Sequence, residues 1–308
     1  ILKIFYRLLY ANLLNFIPDK LMVRLQFRLL LGRSIDINLP QTYNEKLNWL
    51  KLYDSGAEDY SKYVDKLAVR VFISETIGDD FLIPLIGSWD SFDDIDFSLL
   101  PAKFVLKCNH GSHCSVICTD KTKFEYKQSR LKFKSWLKRN WYFLYREKPY
   151  KNIKPCILAE VYMGDDNNNV PEDYKVFCFD GVPKIIRVDV NRYKSNVTYN
   201  YYTTSWERSE LQFTPVSESE TPCPKCLDQM LEKSALLSKG FKHVRVDWYV
   251  IKGSLYFGEM TFYNAAGYDP KNPATFFSTM GCRTANLTDI NADDPKLAQL
   301  KDGRGNIC

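Results

Sequence analysis

The sequence predicts an α+β fold, on three observations. Segments 104–118, 171–192 and 243–261 each read as two strands around a short polar turn, the pattern of an antiparallel hairpin. Helical periodicity lies elsewhere, over 1–31, 40–53 and 227–239. With 308 residues, 45% hydrophobic and 15% aromatic, the chain can bury a substantial core, which predicts a compact enzyme of two or three subdomains and argues against disorder.

Residues 1–31 read as two amphipathic helices broken near Pro18, with Lys20, Arg24 and Arg28 spaced by four beside an apolar face. Such a pair either packs on the domain core or touches an anionic membrane surface peripherally. No run reaches the roughly 18 apolar residues needed to span a bilayer. Residues 40–53 predict a helix entered through Thr42 or Asn44, with Leu47, Trp49 and Leu50 on its buried side and no chemistry of its own. Asp65 and Lys66 open a further helical run, and FLIPLIGSW (81–89) reads as a short buried strand. The nine cysteines, an odd number in mostly apolar contexts, predict reduced buried thiols in a cytoplasmic protein. Cys223 and Cys226 form one CxxC, which reads as a Pro-rich loop before a helix or, with no second pair, as a weak metal or redox signal.

In FVLKCNHGSHCSVIC (104–118) a strand ends near Lys107, the turn is built on Asn109, His110, Gly111 and Ser112, and a second strand follows. Loop amides there can face a phosphate while the lysine neutralises it. Cys108, His110, His113 and Cys114 are spaced too tightly for the usual zinc geometry. From Lys121 to Lys154 there are twelve Lys or Arg against Glu125 and Glu147, although the whole chain carries only +5. Interleaved with aromatics, this segment suits an acidic carbohydrate first and a solvated helical face next. No nucleic-acid motif accompanies it, so nucleic acid is not expected as a partner. CILAEVYM (156–163) is a short apolar strand carrying Glu160. The next hairpin turns at Asp180–Gly181, with Asp173 and Lys175 on its first strand and Arg187, Asp189 and Arg192 beyond the turn as candidates for contact with a second substrate. Residues 195–222 read as a polar surface excursion.

The hairpin 243–261 is the most informative stretch. A turn at Lys252, Gly253 and Ser254 that sets Ile251 opposite Leu255 also sets Asp247 opposite Glu259 and Arg245 opposite Thr261, with Cβ atoms roughly 4.5–5.5 Å apart. Opposed carboxylates repel unless one is protonated, an arginine neutralises them, or a hard cation such as Mg²⁺ sits between them. The alternative is an exposed hairpin whose acids face water.

The order of these elements resembles the ATP-grasp ligases, the superfamily of D-alanyl-D-alanine ligase. Its R-x-D followed by E-x-N reads here as Arg245, Asp247, Glu259 and Thr261, the last a threonine in place of asparagine, whose hydroxyl can still coordinate. Lys66 matches its first phosphate-binding lysine. Lys107 with Asn109, His110, Gly111 and Ser112 matches its phosphate-covering loop, with His113 where a second glycine is expected. Glu160, Tyr162 and Met163 match its adenine strand, Asp173 its ribose carboxylate, and Lys175 projects from the same strand. The phrases PQTYNEKLNWLKL, LKCNHGS, DYKVFCFDG and VRVDWYVIKGSLYFGEMTFY resemble the teichuronopeptide-biosynthesis-like branch, whose members are often encoded with bacterial capsule or O-antigen synthesis.

That resemblance implies an ATP-grasp fold of two α+β subdomains clasping ATP, over 101–156 and 157–308, behind a helical region over 1–100. It implies ATP and Mg²⁺, with Asp247, Glu259 and Thr261 as metal ligands and Arg187 and Arg192 toward substrate. The implied reaction activates a carboxylate as an acyl phosphate, which an amine attacks to give an amide; Lys107 and Arg245 would stabilise the charge that develops. For a capsule enzyme the acid would be a uronic acid, in a nucleotide sugar or a glycan, and the amine an amino acid or small amine. The reverse pairing is equally allowed. Two other classes stay open: a glycosyltransferase, for which Asp165 and Asp166 are poor evidence, and a non-catalytic nucleotide-binding protein.

Overall fold

The computed structural model describes residues 2–57, 59–164, 171–190, 197–210 and 215–270; Arg192, Asp165, Asp166, Cys282 and Cys308 lie outside these. The helices are α1 (Leu2–Tyr10), α2 (Asp19–Leu31), α3 (Tyr43–Tyr53), α4 (Ser61–Val64), α5 (Val69–Ile77), α6 (Tyr126–Leu137), α7 (Tyr142–Tyr145) and α8 (Leu227–Ser238). The strands are β1 (Leu85–Trp89), β2 (Phe104–Cys108), β3 (Ser115–Cys118), β4 (Ile157–Val161), β5 (Asp173–Phe179), β6 (Val182–Val190), β7 (Thr198–Tyr202), β8 (His243–Ile251) and β9 (Ser254–Thr261). They form two open antiparallel sheets, β1-β4-β2-β3 and β7-β6-β5-β8-β9. The fold is therefore the α+β class expected.

Strand pairing does not follow the expected subdomain boundaries. β1 precedes residue 101 and β4 follows residue 156, yet both pair into the first sheet, so each boundary cuts it. β1 is also only partly covered rather than buried, because it is an edge strand with a neighbour on one side.

Each sheet packs an apolar face on helices, and the second is covered on its other face too, where Phe177, Phe179 and Ile185 pack on Tyr43 and Leu47 of α3. In the second, Val176, Ile186, Val246 and Trp248 pack on Ile73 of α5 and Met230 and Leu237 of α8. The indole N–H of Trp248 donates to Ser234 Oγ at 2.8 Å, so the largest buried side chain leaves no polar atom unpaired. In the first, Phe104, Leu106, Ile157 and Ala159 pack on Phe92 and on Phe133 of α6. Alternation then sends Lys107 and Glu160, and the charged residues of β5, β6 and β8, to the opposite faces.

The 243–261 hairpin reaches its expected pairing by an unexpected route. Its turn has two residues, not three: Lys252 and Gly253 both have positive φ (51° and 83°), as a primed hairpin turn requires. Ile251 therefore pairs with Ser254 instead of Leu255, and a bulge at Gly258 absorbs the difference. Trp248 faces Phe257 before the bulge, and Asp247 faces Glu259 beyond it. The bulge also changes which residues point inward, from Leu255 and Phe257 to Met260. Glu259 and Thr261 are thereby turned to the face that carries Asp247 and Arg245. A Cβ at Gly258 would lie 3.0 Å from the Asp247 carbonyl oxygen, which accounts for glycine there.

At the N-terminal side, Pro18 precedes α2, and Gly32 ends it at φ 71° with its N–H on the Arg28 carbonyl. Thr42 and Glu45 form a reciprocal capping box at the start of α3. From Tyr43 to Lys51 every side chain of α3 is buried, not one side alone.

Candidate active site

Lys66, Arg70, Lys107, Glu160, Phe257 and Gly258 line a narrow cleft between the two sheets. Lys107 Nζ lies 2.5 Å from Glu160 Oε2, and Arg70 Nη1 lies 3.5 Å from Oε1, so two cations hold one carboxylate. Arg70 was not singled out from sequence; its spacing of four from Lys66 was the available signal. Lys66 joins the two sheets. Its Nζ donates to the Gly111 carbonyl at 2.9 Å and stands 3.9 Å from Glu259 Oε2, while its backbone N–H donates to the Asn109 carbonyl.

The loop after β2 is anchored by its own side chains. Asn109 donates from Nδ2 to Asp65 Oδ2 and to the Lys154 carbonyl, both at 3.0 Å, and accepts from the Cys156 N–H at 2.8 Å. His110 Nε2 donates to the Arg139 carbonyl at 3.2 Å. Both side chains are buried and bonded to protein atoms. A Cβ on Gly111 would fall 2.3 Å from the Trp141 indole, so glycine permits the loop's seat. Ser112 and His113 are exposed at the tip. His113 has φ 57°, a left-handed conformation that glycine adopts without strain, which explains the glycine expected there. Tyr162 and Met163 follow β4, partly buried. The thiols of Cys108, Cys114, Cys118, Cys156 and Cys178 are free and buried, and Cys223 and Cys226 are not bonded to each other.

The second sheet carries a ladder of charges on its inner polar face. Arg187 and Asp189 stand on β6, Asp173 and Lys175 on β5, Arg245 and Asp247 on β8, and Glu259 and Thr261 on β9. Lys175 lies between Arg187 and Asp247 in register; its Nζ contacts Asp173, donates to Asp247 Oδ2 at 2.8 Å and stands 3.7 Å from Asp189. Asp173 is thus held inside the ladder, opposite Asp189 and Tyr249, rather than open to the cleft. Arg187 pairs with Asp189 at 2.7 Å and lies 5.0 Å over the Tyr199 ring.

Arg245 is the hub. It grips Asp247 with two parallel bonds of 2.6 and 2.7 Å, and its Nη2 also reaches Glu259 Oε1 (3.2 Å) and Thr261 Oγ1 (3.1 Å). Nη1 donates to Asn264 Oδ1 at 2.6 Å, a contact that no spacing in the sequence signals. Burial works to raise the Asp247 carboxyl, but Arg245 and Lys175 outweigh it and hold it at about 2. The Glu259 carboxyl is likewise lowered against its burial, chiefly by Lys66. Both acids are therefore ionised near neutrality and opposed across neighbouring strands.

That donor set suits a hard cation. Mg²⁺ takes one or two carboxylates and completes its shell with phosphate oxygens and water, and Asp247 and Glu259 supply that number. Among the described residues no group of three or more His, Cys, Asp or Glu side chains forms a protein cage for a metal. A cation entering here would compete with Arg245 and Lys175 for the Asp247 oxygens.

Behind the hub, His243 Nδ1 lies 2.7 Å from the Phe262 carbonyl, which can only accept, so Nδ1 carries the proton and Nε2 accepts from the Tyr43 hydroxyl at 3.0 Å. Burial lowers its pKa to about 4, whereas an unfolded histidine titrates near 6.5. The unfolded state then binds the extra proton first, so this contribution is complete above pH ~6.5 and is lost as pH falls toward 4. We expect roughly 3 kcal/mol of acid destabilisation from this residue, measured by denaturant midpoints between pH 7 and 4.5. His243→Gln should flatten the profile over that interval, and an unchanged slope would contradict the assignment.

The basic segment 121–154 is partly consumed internally. Arg146 is buried and donates to the Leu14 carbonyl, Lys121 and Lys148 reach backbone carbonyls, and Arg130 and Lys134 share Asp93. Lys123, Lys127, Lys132 and Lys138 remain exposed.

No curated protein matches this sequence. Among solved structures, the chain is similar to D-alanyl-alanine synthetase A from Vibrio cholerae (12% identity, TM-score 0.43, covering 75% of this chain and 65% of that one). It is also similar to D-alanine–D-alanine ligases from Bacillus anthracis (18%, 0.41, 74% and 65%) and Helicobacter pylori (13%, 0.37, 74% and 57%). The chain thus spans at most 65% of the length of these proteins. Residues 45–283, which include both sheets and the Arg245 hub, match the family described as TupA-like ATPgrasp. With most of its length inside that match, the chain belongs to the TupA-like ATP-grasp family.

Proposed function

We propose that the chain is an ATP- and Mg²⁺-dependent carboxylate–amine ligase that joins an amino acid or small amine to a uronic acid in surface polysaccharide synthesis. The observation that supports it most is the pairing of Asp247 with Glu259 beside Arg245, within reach of Lys66, which also bonds the phosphate loop at Gly111. When bound, ATP with Mg²⁺ supplies the phosphoryl group that converts the acid to an acyl phosphate. The chain's own residues then have separable tasks. Lys66, Lys107 and Arg70 concentrate positive charge where terminal phosphates would lie, and Glu160 fixes Lys107 and Arg70. Asp247, Glu259 and Thr261 would hold the metal. Arg245 stabilises the oxygen on which charge develops as the amine attacks. Glu160, Tyr162, Met163 and Asp173 are assigned to the nucleoside and Arg187 and Arg192 to the second substrate on resemblance; Arg192 lies outside the described residues.

The test is ADP release on mixing enzyme, MgATP, a panel of uronic acids and nucleotide uronates, and a pool of amino acids and small amines. Release that needs both a carboxylate and an amine supports the reading, and the substrate carrying the new amide gives the direction of acyl transfer. Sugar transfer from a nucleotide sugar without ATP use would point to a glycosyltransferase instead, and nucleotide binding without turnover to a scaffold.

A peripheral contact with the inner face of the membrane accompanies this proposal. Among the described residues no helix is long and apolar enough to cross a membrane. Ile4, Leu13, Phe16, Leu21 and Leu25 are nevertheless exposed, Phe16 by 82%, beside exposed Lys3, Arg7, Arg24 and Arg28. Vesicles containing anionic lipid should therefore pull the protein down, less so at high salt and not after Leu13→Ser with Phe16→Ser. Equal recovery with neutral vesicles, or none with either, would contradict it.

A further inference from the structure

Helix α3 carries Asn44, Asn48 and Lys51 at i, i+4 and i+7, on one face, and all three are buried. Each donates to a main-chain carbonyl of the stretch that follows β9. Asn44 Nδ2 bonds Asp269 O at 2.7 Å, Asn48 Nδ2 bonds Gly267 O at 2.9 Å, and Lys51 Nζ bonds Ala266 O at 2.7 Å. Lys51 directs further contacts at the Tyr145 carbonyl (3.1 Å) and the Tyr268 ring (4.2 Å). Polar groups this deeply buried are unfavourable unless paired, so the stripe is costly to place here by chance.

The stretch it holds is strained. Ala265 and Ala266 have φ of 46° and 52°, and Gly267 follows at 71°. Successive non-glycine residues in the left-handed region persist only where their surroundings over-determine them. A Cβ on Gly267 would lie 2.8 Å from Asn48 Nδ2, so the turn and the helix are pressed together. The first residue of this turn is Asn264, buried, whose Oδ1 receives Arg245 Nη1. The other side chains bonded to the Arg245 guanidinium among the described residues are Asp247, Glu259 and Thr261, the oxygen set assigned to the metal. Asn264 lies outside that set.

Resting on the ligase reading above, we propose that Asn264 is a positioning residue that keeps Arg245 in place when Asp247 and Glu259 turn to the metal, and that the Asn44–Asn48–Lys51 stripe fixes the turn that presents it. The neutral amide oxygen suits that task because it binds the guanidinium without adding a carboxylate to compete for the cation.

The test combines kinetics with a structure. Asn264→Ala should lower kcat about 10- to 100-fold with KM for ATP and calorimetric MgADP affinity within about threefold. Asn264→Gln, which keeps a neutral acceptor oxygen, should recover part of kcat, and Asn264→Asp less of it, because its carboxylate competes for the cation. Lys51→Met should reproduce the kcat loss, and combining it with Asn264→Ala should add little, because both act through one contact. Parallel losses in kcat, MgADP affinity and thermal midpoint would mean a merely structural turn and overturn the proposal, as would an unchanged kcat. A crystal structure of the wild-type protein with MgADP gives a reading that needs no turnover. Arg245 should remain on Asn264 while its bonds to Asp247 lengthen; Arg245 released from Asn264 overturns the proposal. If that contact persists but no carboxylate and amine support ADP release, the ligase reading fails and the positioning survives.

Discussion

Arg245→Ala should lower kcat by about 10²–10³-fold while KM for ATP changes only a few-fold. The guanidinium lies on the polar face with both candidate metal ligands, buried and already ionised, so it costs no reorganisation when charge appears on the reacting oxygen. An interaction made mainly in the transition state affects kcat and leaves substrate binding alone. The variant also strips Asp247 of two bonds and leaves a buried carboxylate facing Lys175 only, which would destabilise the fold by about 3–5 kcal/mol if nothing relaxed. Arg245→Lys separates the two effects: it keeps a cation beside Asp247 but loses the two-pronged geometry, so it should restore much of the thermal midpoint and little of kcat. Full kinetic recovery by lysine would show that charge alone matters and would remove Arg245 from the oxyanion role.

Asp247→Asn is expected to have the other large effect. It leaves a ligand of similar shape but takes away the charge that Mg²⁺ and both cations, Arg245 and Lys175, share. Losing several kcal/mol of charge stabilisation corresponds to a turnover loss of about 10²–10³-fold. ATP-analogue binding should at the same time become insensitive to Mg²⁺ in calorimetry, whereas Lys107→Ala should weaken that binding and leave its metal dependence intact. Metal dependence that persists in Asp247→Asn would move the cation elsewhere.

The Asp247–Glu259 and Arg245–Thr261 pairs were legible because a strand has period two and the hairpin's length limits its register. The bulge was not. A two-residue turn with one bulge and a three-residue turn without one place the same residues opposite each other, and only the left-handed φ of Lys252 and Gly253 separates them. Lys66 and Lys107 were found through their order along the chain, whereas the buried side-chain bonds by which Asn109 and His110 anchor the loop were not legible, because a polar loop residue gives no sign of which way its side chain points. The polar stripe of α3 was missed for a similar reason: asparagine and lysine at helical spacing ordinarily mark a solvent face, and only the carbonyls of a distant strained turn make them interior residues. That β1 pairs with a strand about 70 residues further on was not legible either, because local pattern cannot announce such a pairing.

The central claim is that terminal phosphoryl transfer activates the carboxylate. Its most direct test is the identity of the nucleotide product, read by phosphorus NMR during turnover with a uronic acid and an amine. The positive side chains Lys66, Arg70, Lys107 and Arg245 gather around the Asp247–Glu259 pair and the phosphate loop, where charge on a transferred γ-phosphoryl group would be stabilised. ADP and inorganic phosphate in equal amounts, formed only with both co-substrates present, are the predicted products. AMP and pyrophosphate would mean an acyl adenylate, and would contradict the account even if the same amide were made.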